Sequence, residues 1–358
     1  MTIKIVIVTH SPSPYQVELF DAVAALPSVS LNVVYLFRAD PARSWARRMP
    51  HHVHWFSDAV TTAEICTVLE AADLLVFNYY RHPLAAVLLR RRAASAQPWV
   101  FWGERPGFHY PMLGQMARRW LLRALHASAA PIWGMGEFAL AAYRHEFGPG
   151  HVYVNLPYFS DLARFAQAKR TVQDESVRVI LFSGALIPRK GVDELARAFV
   201  QVAPKYPALR LRLMGSGPLA AHLQSVLAPV SEQVEYLGFR DWDDLPPVYA
   251  GADVLCVPSR YDGWGLVVPE GLAAGLPVIA TKRMGAAVDL IEDGQNGWLA
   301  GAGDVPDLVL ALQRAAELDA AALRGLSEAA TASVAEHGLA SGAKRFVAAC
   351  RAAVKDWR

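Results

Sequence analysis

Two carboxylates eight residues apart, Asp262 and Glu270, stand in a segment suited to an anionic, hydroxyl-rich ligand. The segment reads Pro258-Ser259-Arg260-Tyr261-Asp262-Gly263-Trp264-Gly265-Leu266 and enters an apolar helical pattern that starts near Leu266. A helix start leaves backbone N–H groups unpaired and carries partial positive charge, which suits a phosphate or diphosphate. Gly263 and Gly265 lack the Cβ atoms that would keep such a ligand from close approach. A carboxylate has two acceptor oxygens that match a vicinal diol. Glu270, expected in the second turn of the helix, is therefore a candidate for ribose hydroxyls, and Asp262 for a sugar hydroxyl. A plainer reading stays open, in which Asp262 caps the helix and Glu270 is a solvated helical carboxylate.

The same half of the chain carries a second feature. A β-branched run, Val177 to Ser183, leads into Gly184-Ala185-Leu186-Ile187-Pro188-Arg189-Lys190-Gly191, and helical spacing resumes at Val192. The cationic pair Arg189-Lys190 beyond a strand end is either placed to neutralise a diphosphate leaving group or simply part of a solvated loop. Gly215-Ser216-Gly217-Pro218 and Gly238-Phe239 follow other strand-like runs in corresponding places. Each of these turns alone is common in α/β proteins.

These loops need strands to hold them. Continuous apolar runs at 3–8, 31–37, 74–77, 98–102, 132–134 and 152–155 read as buried parallel strands in the first half. A polar stretch from Asn155 to Ser176 intervenes, and the rhythm restarts at 177–183, 209–214, 234–237, 254–257 and 277–280. Segments 192–202, 219–227 and 266–274 have helical spacing between them. Two successive βαβ series with a linker near residue 165 imply two doubly wound domains, 1–165 and 166–340. A terminal helix within 341–358 is expected to return to the first of them. Ligands in such sheets sit beyond the carboxyl ends of the strands, so an inter-domain cleft is the expected site.

Composition bounds the rest. Of 358 residues 53% are hydrophobic, enough for more than one core, which excludes a disordered chain. Net charge is +2, divided as +6 over residues 1–170 and −4 over the remainder, too mild for a dedicated nucleic-acid binder. The three cysteines, Cys66, Cys256 and Cys350, form no CxxC pair, so neither a disulfide framework nor a thiolate zinc site is expected and a reducing cytoplasm fits. His51-His52-x-His54 lacks further ligand spacing, so no metal site is assigned. The start Met1-Thr2-Ile3-Lys4-Ile5-Val6 does not have the form of a secretory leader, and no apolar run is long and unbroken enough to span a bilayer. Arg90-Arg91-Arg92 and the stretch Met116 to Arg123 mix cations with Trp and Leu, which suits either a lipid-facing surface or an ordinary amphipathic helix.

Taken in register, the second-half motifs resemble the family 4 retaining glycosyltransferases, whose GT-B fold has two Rossmann-like domains. The resemblance covers about residues 177 to 300. It runs through Gly184 to Gly191, Gly215-Ser216-Gly217-Pro218, Val234-x-Tyr236-Leu237-Gly238-Phe239, Tyr249-x-x-Ala252-Asp253, Pro258-Ser259 and Asp293-Gly294-x-Asn296-Gly297. The family's E-x7-E signature matches the spacing of Asp262 and Glu270. The resemblance implies that Glu270 binds the ribose and Lys190, with Arg189 beside it, the diphosphate. It implies also that Gly184 and the Gly263-Trp264-Gly265-Leu266 backbone line the sugar-phosphate. Gly238-Phe239 would abut the base, and Asp262 would hold sugar hydroxyls near the reacting carbon.

The departures are equally specific. Asp262 replaces the usual Glu, Ala185 the usual Arg, and Asp289 an expected Glu. The first loop has no Gly-Gly pair; it reads Thr9-His10-Ser11-Pro12-Ser13-Pro14-Tyr15, in which Ser13 and Gln16 are spaced as a capping box with Pro14 at the first helical position. His10, Ser13 and Tyr15 are thereby assigned to the acceptor side. Where the family often has an acceptor-side His, this chain has Glu104, with His109 five residues on. Either is a candidate to orient the acceptor hydroxyl or take its proton.

The expectation is a retaining glycosyltransferase with a nucleotide-diphosphate sugar as co-substrate, a UDP-sugar favoured. It would need no cofactor or metal and would act in surface-glycan or glycolipid assembly at the cytoplasmic face of a membrane. A glycan or lipid-linked acceptor and peripheral membrane contact belong to this expectation, and nucleic acid does not. Two rival readings are a catalytically silent, nucleotide-sugar-binding partner subunit and a nucleotide-sugar epimerase.

Overall fold

The computed structural model describes residues 2–40, 48–107, 112–168 and 177–357. The chain folds as two compact units, Met1–Ser160 with Leu339–Arg358, and Asp161–Gly338.

The first unit is built on seven parallel strands: β1 (Ile3–Thr9), β2 (Val29–Tyr35), β3 (Val53–Phe56), β4 (Leu74–Phe77), β5 (Trp99–Gly103), β6 (Ile132–Gly134) and β7 (Tyr153–Asn155). Their order is β3-β2-β1-β4-β5-β6-β7. β4, β5 and β6 are buried at every position, as their unbroken apolar sequences require when helices cover both faces. β3, with pattern Val-His-Trp-Phe, lies at the sheet edge and only partly buried, and its sequence carries no clean strand signal. The helix Leu339–Lys355 covers this sheet. Phe346 packs edge-on against Trp102 and Trp133 at 5.4 and 5.8 Å, and Gly342 makes room for Phe159.

The second unit holds six parallel strands: β8 (Arg178–Ser183), β9 (Leu209–Met214), β10 (Val234–Gly238), β11 (Val254–Val257), β12 (Val278–Thr281) and β13 (Gly297–Ala300). Their order is β10-β9-β8-β11-β12-β13. The helix Val192–Val202 buries Leu195, Ala198, Phe199 and Val202 on this sheet, the positions its 3.6-residue period predicts. The unit begins at Asp161 rather than near 165, because the short helix Ala163–Ala166 belongs to it. Phe165 stacks edge-on against Tyr249 at 5.0 Å, and the Arg164 guanidinium lies 4.4 Å from the Trp242 ring centre.

Both sheets are doubly wound, with strand order reversing between β1 and β4 and between β8 and β11. At such a reversal the connections leave toward opposite faces, opening a crevice at the carboxyl ends of the two central strands. Cys66, Cys256 and Cys350 are all buried and free. Among the described residues, no helix is long and apolar enough to cross a membrane.

Candidate functional site

The switch point of the second sheet gathers the residues singled out by spacing. β8 ends at Ser183 and the chain turns through Gly184 into a 3-10 turn, Pro188–Lys190. Gly191 follows at φ +66°, and a Cβ there would meet the Pro258 carbonyl oxygen at 1.9 Å. Glycine thus lets the cationic turn lie against the end of β11. The backbone N–H of Arg260 donates to the Arg189 carbonyl at 2.9 Å and closes the two loops together.

Lys190 Nζ donates to Asp262 Oδ2 at 2.5 Å, and Arg189 Nη1 lies 3.7 Å from Asp262 Oδ1. Asp262 therefore has a cation on each carboxylate oxygen. Side-chain exposures of 19% for Lys190 and 15% for Asp262 leave the pair open to an incoming ligand, which makes it a replaceable contact rather than a sealed core bridge.

Glu270 is the fourth residue of the helix Val267–Ala273, in its first turn rather than its second, and is 4% exposed. The solvated reading of this carboxylate is thereby excluded. Tyr249, wholly buried, donates its hydroxyl to Glu270 Oε2 at 3.1 Å and sits 3.0 Å from Ser183 Oγ. Burial first, and then the Glu270 charge, push the Tyr249 phenol well above its ordinary value, so it remains a donor. Asp262 does not cap the helix: the cap position is Leu266 and carries no side-chain bond. Instead Asp262 forms an isolated parallel bridge to Met284.

The bend between the two carboxylates is fixed from below. Gly265 takes φ +93° with its Cβ direction 3.6 Å from Asp262 Cγ, and Gly285 lies so close that a Cβ would sit 2.6 Å from the Gly263 carbonyl oxygen. Trp264 is 2% exposed, stacks on His337 at 5.7 Å and 17°, and accepts the Ala286 N–H on its carbonyl at 2.8 Å. Its side chain anchors the loop, leaving the backbone as the part able to line a ligand.

Farther along the same edge, the Gly184 N–H donates to Met214 O at 3.0 Å and the Gly215 N–H to Gly238 O at 2.8 Å, stitching the ends of β8, β9 and β10 together. Phe239, just past β10, is 41% exposed and offers an aromatic face. Two supports escaped spacing. Tyr249 was visible only as the first letter of its motif. Glu194, 2% exposed, accepts from Arg260 Nε at 2.6 Å and holds the loop that carries Asp262; one glutamate on a helix gives no sequence signal of this contact.

In the first unit, Asn78 joins three strand ends. Its Oδ1 accepts from Thr9 Oγ1 at 2.8 Å and Gln16 Nε2 at 3.0 Å, and its Nδ2 donates to Trp102 O at 3.0 Å. Pro14 opens the helix Pro14–Ala24 as expected, but the capping box does not form: Ser13 makes no side-chain cap bond, and the Gln16 side chain that would return to the Ser13 N–H is turned to Asn78. Tyr15 is 9% exposed and packed edge-on against Tyr158 at 4.8 Å, which makes it a packing residue. His10 is half-buried beyond β1, with Nδ1 2.9 Å from Ser11 Oγ. Glu104 is exposed, one residue past β5, and its carbonyl accepts the Tyr143 hydroxyl at 2.5 Å. His109 lies outside the described residues.

The histidine-rich stretch serves structure. The His52 side chain, fully buried, bridges Asp21 at 2.6 Å and the Tyr35 hydroxyl at 3.1 Å. The arginine triplet is likewise divided: Arg92 is buried against the carbonyls of Leu69, Ala72 and Pro98, and Arg91 pairs with Glu70. On the helix Met112–Leu121, Arg118 is buried against Glu146 while Met116 and Trp120 are each 61% exposed.

Comparison with known proteins adds a family to this geometry. Residues 177–317 match the family model for Glycosyl transferases group 1. A GDP-mannose-dependent monoacylated alpha-(1-6)-phosphatidylinositol monomannoside mannosyltransferase of Corynebacterium glutamicum is 30% identical over 183 residues, 46% of this chain and 48% of that protein. A GDP-mannose-dependent alpha-(1-6)-phosphatidylinositol monomannoside mannosyltransferase of Mycolicibacterium smegmatis is 29% identical over 210 residues, 54% of this chain and 55% of that protein. The aligned stretch thus spans about half the length of these curated relatives. Among solved structures, Anabaena HepE in complex with UDP superposes with a TM-score of 0.76 at 17% identity, covering 98% of this chain and 100% of the other. Sucrose-phosphate synthase from Thermosynechococcus elongatus gives 0.74 at 20% identity, covering 98% of each. The chain therefore has the GT-B fold of two Rossmann-like domains, carries a group 1 glycosyltransferase domain at residues 177–317, and through that domain is similar to the family 4 glycosyltransferases.

Proposed function

We propose that this chain transfers a sugar from a nucleotide-diphosphate donor to an acceptor hydroxyl, with retention at the anomeric carbon, in the assembly of a surface glycan or glycolipid. The observation that carries the reading is the convergence of Lys190, Asp262 and the Tyr249-supported Glu270 on one switch point of a parallel sheet. That edge offers an exposed aromatic ring, a buried carboxylate, a cation and a glycine bend beside a second carboxylate, one kind of group for each of base, ribose, diphosphate and sugar.

Phe239 would stack on the base and Glu270 would accept both ribose hydroxyls. Lys190 would exchange its contact with Asp262 for one with the diphosphate, releasing that carboxylate to the sugar hydroxyls. As the bond from anomeric carbon to phosphate oxygen lengthens, negative charge grows on the diphosphate. A cation already held at that place stabilises the departing group without reorganising. The acceptor oxygen then bonds to the anomeric carbon on the face the diphosphate leaves, and its proton passes to a leaving-group oxygen, so no covalent enzyme intermediate is needed. Glu104 is the described residue on the acceptor side best suited to orient that hydroxyl. The relatives named as GDP-mannose-dependent and the HepE structure with UDP support two donor classes; we favour a UDP-sugar.

We place the reaction at the cytoplasmic membrane face. The exposed pair Met116 and Trp120, with Arg123 against the Trp120 ring at 4.5 Å, gives an apolar, cationic face suited to anionic lipid.

The deciding experiment incubates the full chain with UDP-, GDP-, ADP- and dTDP-sugars and follows both binding and sugar release. Sugar transfer, or donor hydrolysis lost in a stably folded Glu270→Gln, supports the reading. Binding without turnover on any donor identifies a silent subunit, and an altered free sugar without acceptor identifies an epimerase.

A further inference from the structure

The first sheet has its own switch point, between β1 and β4, and a set of aromatic side chains collects there. His10 follows β1, Phe37 follows β2, Tyr79 follows β4, and His82 caps the next helix, Pro83–Ala94. The His10 ring centre lies 4.7 Å from that of Phe37 and 4.8 Å from that of Tyr79, and His82 stands edge-on to Phe37 at 5.1 Å.

Phe37 is 39% exposed although its neighbours Tyr35 and Leu36 are buried at 0 and 4%. This ring stays at the surface beyond the carboxyl end of β2, the edge at which ligands of a doubly wound sheet bind. The rings around it carry polar edges. Burial holds the Tyr79 phenol above its ordinary value, so it stays protonated. The Leu84 N–H donates to His82 Nδ1 at 3.2 Å, so the neutral ring carries its proton on Nε2. Ser11 Oγ lies 2.9 Å from His10 Nδ1.

The result is an apolar face edged by hydroxyl and N–H groups. A pyranose ring is its complement, with C–H bonds on its faces and hydroxyls at its rim. An acyl chain would leave the polar edge unsatisfied, and a bare polyol lacks the flat face. We propose that His10, Phe37, Tyr79 and His82 form a subsite for a saccharide ring. The acceptor, in the sense of the transfer reading on which this rests, then presents its hydroxyl on or next to a sugar residue.

The test is saturation-transfer NMR on the full chain with methyl α-D-mannopyranoside and methyl α-D-glucopyranoside as probes, glycerol as a ringless control, and UDP or GDP titrated separately. Saturation of glycoside ring protons but not glycerol is expected in the wild type. Phe37→Ala should weaken glycoside binding about tenfold, the loss typical of a central aromatic anchor, while Phe37→Trp retains it. Nucleotide binding should be the same in all three, which also verifies folding. Equal glycoside binding by Phe37→Ala, or none by the wild type, overturns the subsite. A protein that binds glycoside through Phe37 but no nucleotide would instead refute the donor reading and leave the subsite standing.

Discussion

Replacing Glu270 by Gln changes one oxygen to an amide and removes one charge, and the surroundings allow its consequences to be separated. Tyr249 donates to Glu270 Oε2 at 3.1 Å, and a glutamine carbonyl can take the same proton. The buried phenol therefore keeps its partner, and the folding cost should stay under about 1 kcal/mol. Glu270→Ala would instead remove that acceptor and confuse a folding defect with a binding one. The ligand loses more. Hydrogen bonds to a charged acceptor contribute ~1.5–3 kcal/mol and neutral ones ~0.5–1.5 kcal/mol, so two ribose hydroxyls on a carboxylate predict a loss of about 2 kcal/mol in Glu270→Gln, or ~30-fold in Kd. Titration calorimetry with UDP and GDP, alongside urea denaturation of the unliganded protein, reads both quantities. Unchanged nucleotide affinity in a stably folded Glu270→Gln would refute the ribose assignment.

Three further outcomes follow from particular contacts. Lys190→Ala should reduce turnover about a hundredfold, the usual cost of removing one charge-stabilising group, with far less effect on thermal stability; steady-state kinetics at wild-type level would exclude the diphosphate role. Gly191→Ala places a Cβ 1.9 Å from the Pro258 oxygen at φ +66°, so urea denaturation should show a loss of more than about 3 kcal/mol. His52 is held below its ordinary 6.5 by burial, against the opposing pull of Asp21. The unfolded chain then binds the extra proton first, so stability should fall as pH drops below 6.5, and His52→Gln should flatten that slope in a pH series of thermal melts.

Much of this architecture is legible in the sequence because buried parallel strands leave unbroken apolar runs. Leu74–Phe77 and Val254–Val257 were readable residue for residue, as was the helix Val192–Val202 from its 3.6-residue stripe. β3 was not, since an edge strand with a half-wet face tolerates His54 and Trp55. β13 hid behind the Asp293-Gly294 turn, too short to show a period. The candidate site divides in the same way. Asp262 and Lys190 stood out because a charge beside a glycine past a strand end has few structural uses, and Glu270 by its eight-residue spacing from Asp262. Tyr249 and Glu194 act through contacts 21 and 66 residues away in the chain, which no local pattern reports. The Ser13–Gln16 pair shows the opposite failure: local spacing proposed a capping box, and a tertiary partner, Asn78, took the glutamine instead.

The most direct test is a crystal structure of the protein with an intact nucleotide diphosphate soaked in. The account predicts the diphosphate within hydrogen-bonding reach of Lys190 Nζ, with the Lys190–Asp262 contact broken, and the ribose hydroxyls on Glu270. A nucleotide bound elsewhere, or one in this crevice with Lys190 still locked to Asp262 and Glu270 untouched, would contradict it.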